Sequence, residues 1–282
     1  MSTWAFYALL GVGTGAMYAA FSMSVIITYR GSGVVNFAVG AMAMIPSMIF
    51  AELRRSGDLV LPLVLLPRRF SLGDPMAPVP AAVIALTVGM ILSVIIYVLV
   101  IRSLRTAPPV TALVATVGLT LVLQALAVKG FGNVTLRVGP ILPQKVVQLG
   151  GRPFPVDRLW LLATVCVLAV GVMFVYRATR FGIATRAAFL NEKGAILLGL
   201  NPTRLGLYNW LFASTLGGAV GIIGSSLGGV SPFNFSLFVV PALAAALAAR
   251  LKSIPVAVAV GVAIGSFEAI AVHIVAQRQV PR

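Results

Sequence analysis

Residues Trp4–Thr28, WAFYALLGVGTGAMYAAFSMSVIIT, hold 25 consecutive positions without a charged side chain. At a rise of about 1.5 Å per residue such a helix reaches about 38 Å, enough to cross a bilayer with some tilt. No Lys or Arg precedes the stretch, and Arg30 is the first to follow it. A signal peptide carries its basic region ahead of a shorter apolar core. The stretch is therefore expected to be a retained first helix whose N-terminus lies outside.

The rest of the chain repeats the pattern. Of 282 residues, 60% are hydrophobic and 10% charged, against about 25% charged in an ordinary soluble domain. Too few solvated groups are present to cover a water-soluble globule, so a soluble domain and a disordered chain are both excluded. The expected class is an all-α, polytopic transmembrane bundle of about seven to eight spans, with broken or re-entrant segments.

Outward from the first helix, Gly31–Ala51 is uncharged, opens with Gly31-Ser32-Gly33 and contains Pro46. Its first part is expected to be broken or re-entrant. Glu52–Pro78 is a polar connection whose apolar run Leu59–Leu66 is too short to cross. Val79–Ile101, Val110–Val128 and Leu159–Tyr176 read as spans, with a longer loop at Lys129–Arg158. Leu205–Ala249 has 45 residues without a charge, more than one span uses, so a break is expected at Gly228–Asn234, where Gly and Pro release the helix. Ser253–Gln277 closes the series, with Glu268 as its only charge.

The net charge is +15. The cations flank apolar segments, as insertion and anionic headgroups select, and no basic stretch is interleaved with aromatics. Membrane lipid is the expected partner of this charge, and nucleic acid is not. Placing Arg177–Arg204 in the cytoplasm puts ten cations inside and eleven outside; the short loops carrying Arg30, Arg102, Arg105, Arg250 and Lys252 favour that orientation.

Enzymatic readings find little support. One His and one Cys make neither a His-rich metal site nor a thiolate cluster, and no cofactor is expected. No G-x-x-x-x-G-K-[ST] phosphate loop occurs, so an ATP-driven process needs its ATPase on another polypeptide. Cys166, in an apolar run, reads as packing.

Polar groups inside apolar stretches are the functional candidates. Asn36 either lines a pathway together with Phe37 and Gly40, or caps the helix that follows. Glu268 is the one acid inside a predicted span, serving either a pathway or a hydrogen bond between helices. His273, five residues on, falls outside the spacing of helical neighbours and marks the membrane interface. Gly11, Gly13, Gly15, Gly217-x3-Gly221, Gly224-x3-Gly228 and Gly261-x3-Gly265 supply small-residue faces, for packing within the bundle or against a second membrane subunit. In Arg177–Arg204, Asn191 can cap a short helix that Gly199 ends and Pro202 cannot continue. It is either a docking element for a cytoplasmic partner or a plain amphipathic loop.

The residues Tyr18-Ala19-Ala20, Tyr29-x2-Ser32-Gly33-x2-Asn36-Phe37-Ala38-x-Gly40, Arg105-x-Ala107-Pro108-Pro109, Thr116-x-Gly118-Leu119, Arg177-x2-Arg180-Phe181-Gly182, Arg186-Ala187 and Ala195-x3-Gly199-Leu200-Asn201 resemble the permeases of branched-chain amino acid ABC transporters. The resemblance runs over nearly the whole chain. It implies one transmembrane permease domain, residues 1–282, with a cytoplasmic coupling loop at 177–204. Implied partners are a homologous second permease, two cytoplasmic ABC ATPases and an extracytoplasmic solute-binding protein; the implied location is the bacterial inner membrane.

Coupling to the ATPase would fall to Arg186, Asn191, Glu192, Lys193, Gly194, Ala195, Gly199 and Asn201. Aligned on Gly199, Lys193-Gly194-Ala195 stands where the family's Glu-Ala-Ala would be, so Ala195 and Gly199 keep the motif. Family members commonly add a further hydrophobic stretch where this sequence reads Gln279-Val280-Pro281-Arg282, so it is expected to be a shortened or split permease, or one with a divergent end. The alternative class is a secondary carrier or channel that works without an ATPase.

Overall fold

The structure, a computed structural model, describes residues 2–61, 68–105 and 107–279; part of the run Leu59–Leu66 and the last three residues of the tail lie outside them. The long first stretch forms α1 (Thr3–Ser32), capped by Ser2 and ended by Gly33 in the left-handed region at φ 72°. Apolar on every side, α1 is the most enclosed of the long helices.

The expected break falls at residues 33–38, after which α2 (Val39–Arg55) runs on through Pro46 without interruption. Two glycines receive that proline: Gly89 and Gly218 both lie against its ring. α2 is buried from Val39 to Leu53. It packs on α3 (Pro78–Ile96) and on α9 (Pro202–Gly228).

α3 passes through a π-helical turn, Tyr97–Ile101, into the short α4 (Arg102–Leu104), and Pro78–Leu104 is one apolar rod of 27 residues. α5 (Pro109–Phe131) and α6 (Asp157–Ala178) follow. The loop after α6 carries α7 (Arg180–Leu190), which the sequence reading leaves as loop, and α8 (Glu192–Leu197). The 45-residue apolar stretch breaks where expected. α9 stops at Gly228, Gly229 takes φ 79°, and Ser231 caps α10 (Pro232–Leu237) with Pro232 at its first position. α11 (Val239–Ala248) and α12 (Ile254–Gln279) complete the order.

Among the described residues six helices are long and apolar enough to cross a membrane. The 17-residue α2 and the shorter apolar segment Pro232–Ala248 account for the remainder of the seven to eight predicted segments. Two polar connections fold into hairpins that the sequence reading did not anticipate: β1 (Asp58–Leu61) pairs antiparallel with β2 (Arg68–Ser71), and β3 (Val146–Leu149) with β4 (Arg152–Pro155). Buried Glu52 fastens the first hairpin to the end of α2 through Arg69, 3.8 Å away, while Arg69 also donates to the Gly130 carbonyl at the end of α5.

The glycine faces are used within the chain. A Cβ on Gly11 would stand 2.2 Å from the Gly265 carbonyl oxygen, and one on Gly265 would stand 2.2 Å from the Gly15 nitrogen. α1 and α12 therefore touch backbone to backbone, replacing the hydrophobic drive that lipid removes. Gly217 and Gly221 receive Ser24 and Ser47 in the same manner, and Gly224 receives Met17.

Candidate functional site

Of the four residues expected to line a pathway, Asn36, Phe37 and Gly40 lie together around the start of α2, and Glu268 lies on α12. Asn36 is 1% exposed, accepts from the Ala38 N–H at 2.9 Å and contacts the Met42 sulfur. Its amide holds the turn that starts α2. The small void beside it, about 10 Å³, touches α1, α2 and α9 only. The Thr120 hydroxyl donates to the Phe37 carbonyl at 3.3 Å, and the Thr116 hydroxyl donates to the Val35 carbonyl at 3.4 Å. Non-helical backbone at membrane depth must find such donors. The sequence reading noted Thr116 only as part of a motif. Gly40 lies against the Phe235 carbonyl, at a distance only a glycine tolerates.

Glu268 stands elsewhere. Its Oε2 accepts a 2.6 Å hydrogen bond from the Tyr18 hydroxyl, so the predicted bond between helices is present, and its partner lies 250 residues away. It also lines a cavity of about 720 Å³. Met17 and Tyr18 of α1, Leu227 at the end of α9, Phe235 and Phe238 around α10, and Arg158 of α6 share the wall. The cavity lies midway along α1, at the place where α9 breaks, which is where discontinuous helices open polar backbone to a pathway. Arg158 spreads its stem over Gly13 and donates to the Leu10 carbonyl. At the edge of a span it read as a flanking charge, and no local signal sets it apart from the others.

His273 stacks on Tyr7 with ring centroids 3.6 Å apart and meets the edge of Trp4. This aromatic group joins the outer ends of α1 and α12, consistent with an interface position.

At the other end of α9 is a second polar site. Asn191 caps α8 by accepting from the Gly194 N–H at 2.9 Å. Gly199, at φ 78°, ends it, with the Leu200 N–H reaching the Ala195 carbonyl and the Gly199 N–H the Ile196 carbonyl. This is the Schellman arrangement of a helix stop. Asn201 caps α9 in turn through the Arg204 N–H. Glu192 pairs with Arg105 at 2.9 Å, and Arg105 also donates to the Thr203 hydroxyl, whose carbonyl accepts from Tyr97. α8 is thus tied to the end of the α3–α4 rod and to the start of α9.

Leu190, Leu197 and Leu198 stand out from this end, 83%, 88% and 79% exposed. Arg186 and Lys193 belong to the same loop. Ala195, by contrast, is buried.

Beneath α7, buried Asn209 donates to the Thr185 hydroxyl at 3.0 Å and to the Leu205 carbonyl at 2.7 Å, and accepts from the Tyr176 hydroxyl. An amide inside an apolar stretch is the same signal that singled out Asn36, and it could have found this residue. Replacing Asn209 with leucine is expected to destabilise the protein by about 2 kcal/mol, because Tyr176 and Thr185 lose their partner in a dry interior. A thermal melt in detergent checks it.

Among the described residues no group of three or more His, Cys, Asp or Glu is placed to hold a metal ion. Cys166 is exposed on α6.

Comparison with known proteins agrees with this architecture. The sequence model of the family described as "Branched-chain amino acid transport system / permease component" matches residues 7–280. The chain is similar to the high-affinity branched-chain amino acid transport system permease protein LivH of Escherichia coli K12, 26% identical over 271 residues, covering 92% of this chain and 83% of that protein. It is also similar to LivH of Salmonella typhimurium, 24% identical with the same coverage, and to a probable LivH of Methanocaldococcus jannaschii, 24% identical over 90% of this chain and 77% of that one. No solved structure matches. With six long apolar helices among the described residues, a break between α9 and α10 in the last apolar stretch but one, and a family match over almost its full length, the chain belongs to the branched-chain amino acid transport permease family, as the multi-pass membrane permease subunit of an ATP-binding-cassette importer.

Proposed function

We propose that residues 1–282 act as one permease domain in the bacterial inner membrane, forming half of a path for branched-chain amino acids or a related small polar solute. A homologous second permease completes the path. An extracytoplasmic binding protein delivers the solute, and two cytoplasmic ATPases dock on the 177–204 loop.

The observation that carries this reading is the polarity of α9. Its first turn holds the capped α8 with its bare leucines, and its last turn opens on the Glu268 cavity, 27 residues away. A short helix stopped at both ends and bonded to two spans moves as a rigid body, so a push on Leu197 and Leu198 reaches the α3–α4 rod and α9 together. That is the requirement for biasing a bundle between two packings.

The test is to replace Leu197 and Leu198 with aspartate, and separately Gly199 with leucine. Both variants are expected to lose co-purifying ATPase and ATP-dependent uptake. Unchanged values for both would overturn the coupling assignment, and uptake by the purified chain alone in liposomes without ATP would favour a secondary carrier.

A further inference from the structure

A second cavity, of about 200 Å³, lies at the opposite end of α9 from the Glu268 cavity, enclosed by the last turn of α1, Arg105, α7 and the first turns of α8 and α9. It is smaller than the about 300–1,000 Å³ that enclose a drug-sized ligand, so it admits one small group. Its charged lining is Arg30, Arg105 and Glu192, two cations and one acid. Glu192 is spent on Arg105 at 2.9 Å, and Arg105 is further occupied by Thr203. Arg30 is left over. Among the described residues it enters no ion pair. Its guanidinium donates to the Lys252 carbonyl and lies over the Tyr176 ring, both uncharged partners, and the like charge of Arg186 acts on it. The C-terminal end of α1 favours a cation here but supplies no counter-ion.

Thr185 gives the second observation. It is 1% exposed and lines the cavity. Its oxygen accepts from the Asn209 amide at 3.0 Å, while its hydroxyl proton reaches no acceptor among the described residues. Buried hydroxyls ordinarily donate as well as accept. Thr28, Thr164 and Thr215 each donate to a carbonyl one turn back in their helices, and Thr185 does not use that outlet. An anionic acceptor in the cavity satisfies this O–H and the open N–H groups of Arg30 together, in charge-assisted hydrogen bonds.

The geometry points to a binding site for a phosphoryl anion at the boundary of the bundle, held by Arg30 and Thr185 and backed by the Arg105–Glu192 pair. A tetrahedral phosphoryl group offers oxygens to donors on two helices at once, and basic pockets between spans take lipid headgroups of this chemistry. The bound anion ties the end of α1 to α7. The site goes beyond the transport reading and does not depend on what the bundle carries.

The test reconstitutes the full chain in nanodiscs of neutral phosphatidylcholine and melts it in phosphate and in chloride buffers of equal ionic strength. In a second arm phosphatidylglycerol replaces part of the neutral lipid, with no phosphate in the buffer. Occupancy is expected to raise the melting temperature by at least about 2 °C. A rise in both arms assigns a site open to either source, a rise in the first alone assigns free phosphate, and a rise in the second alone assigns the lipid headgroup. Arg180→Gln removes an exposed cation of the same loop that lies off the cavity, and should keep the rise. Arg30→Gln and Thr185→Val should lose it, each variant being compared with itself with and without the anion. Where Arg30→Gln yields no folded protein, Thr185→Val, which keeps every charge, decides. No rise in either arm overturns the inference. So does a rise that survives in Thr185→Val, since the anion then acts on the basic surface at large.

Discussion

Replacing Gly265 with leucine is expected to abolish folded protein in the membrane. A Cβ alone at this position would stand 2.2 Å from the Gly15 nitrogen and 2.3 Å from its Cα, and neither backbone atom can turn aside as a side chain can. The two helices would have to separate along a seam that also includes Gly11 and Gly261. Overpacking against movable side chains costs about 1–3 kcal/mol. A clash against the backbone of the most enclosed helix exceeds that and approaches the total stability of a domain, about 5–15 kcal/mol. Gly118→Leu is the control: a Cβ there meets no atom within 4 Å, and that variant should be recovered normally. Fluorescence-detected size exclusion of tagged variants measures both. A monodisperse Gly265→Leu protein at native yield would show that α1 and α12 do not pack through this seam.

The second large effect is expected in transport rather than in folding. Glu192 is more than half exposed and Arg105 mostly buried, and pairs of that kind contribute about 0–1 kcal/mol to stability. Glu192→Arg should therefore shift the melting curve little. It sets two guanidinium groups against each other at the point where α8 meets Arg105 and Thr203, and the tie between α8 and the spans is lost. Uptake per ATP hydrolysed is expected to fall at least about fivefold, the lower end of typical coupling between sites. Combining it with Arg105→Glu restores opposite charges in reversed order and should recover much of the uptake. Native uptake in the single variant, or no recovery in the double, would show that this pair does not transmit the motion.

The candidate sites were legible to different degrees. Asn191 and Gly199 stand in the capping and stopping roles their spacing predicts, because capping is settled within four or five residues of chain; Asn201 caps α9 without having been read as a cap. Asn36 carries the same kind of local information, and its side chain accepts from the Ala38 N–H in the turn just before α2, whose N-cap position is taken by Ala38. Glu268 was visible as an acid in an apolar run, but Tyr18 and Arg158 were not, since nothing near them in sequence announces a neighbour so far along the chain. The same holds for Arg105 and Asn209, whose partners lie on other helices.

By itself the sequence determined that this chain lives in a membrane, where its apolar runs begin and end, and where α9 must break. Uncharged length, Gly, Pro and capping residues act on the backbone locally, whatever surrounds them. Which apolar helix is enclosed and which faces outward was decided only by the tertiary structure: the windows of α1 and α12 are both apolar, yet 89% of one is buried within the chain and 11% of the other. Lipid and protein interior are equally apolar surroundings, so hydropathy cannot separate them. Close approach of glycine backbones and the pairing of a few distant polar groups do, and those exist only once the helices have packed.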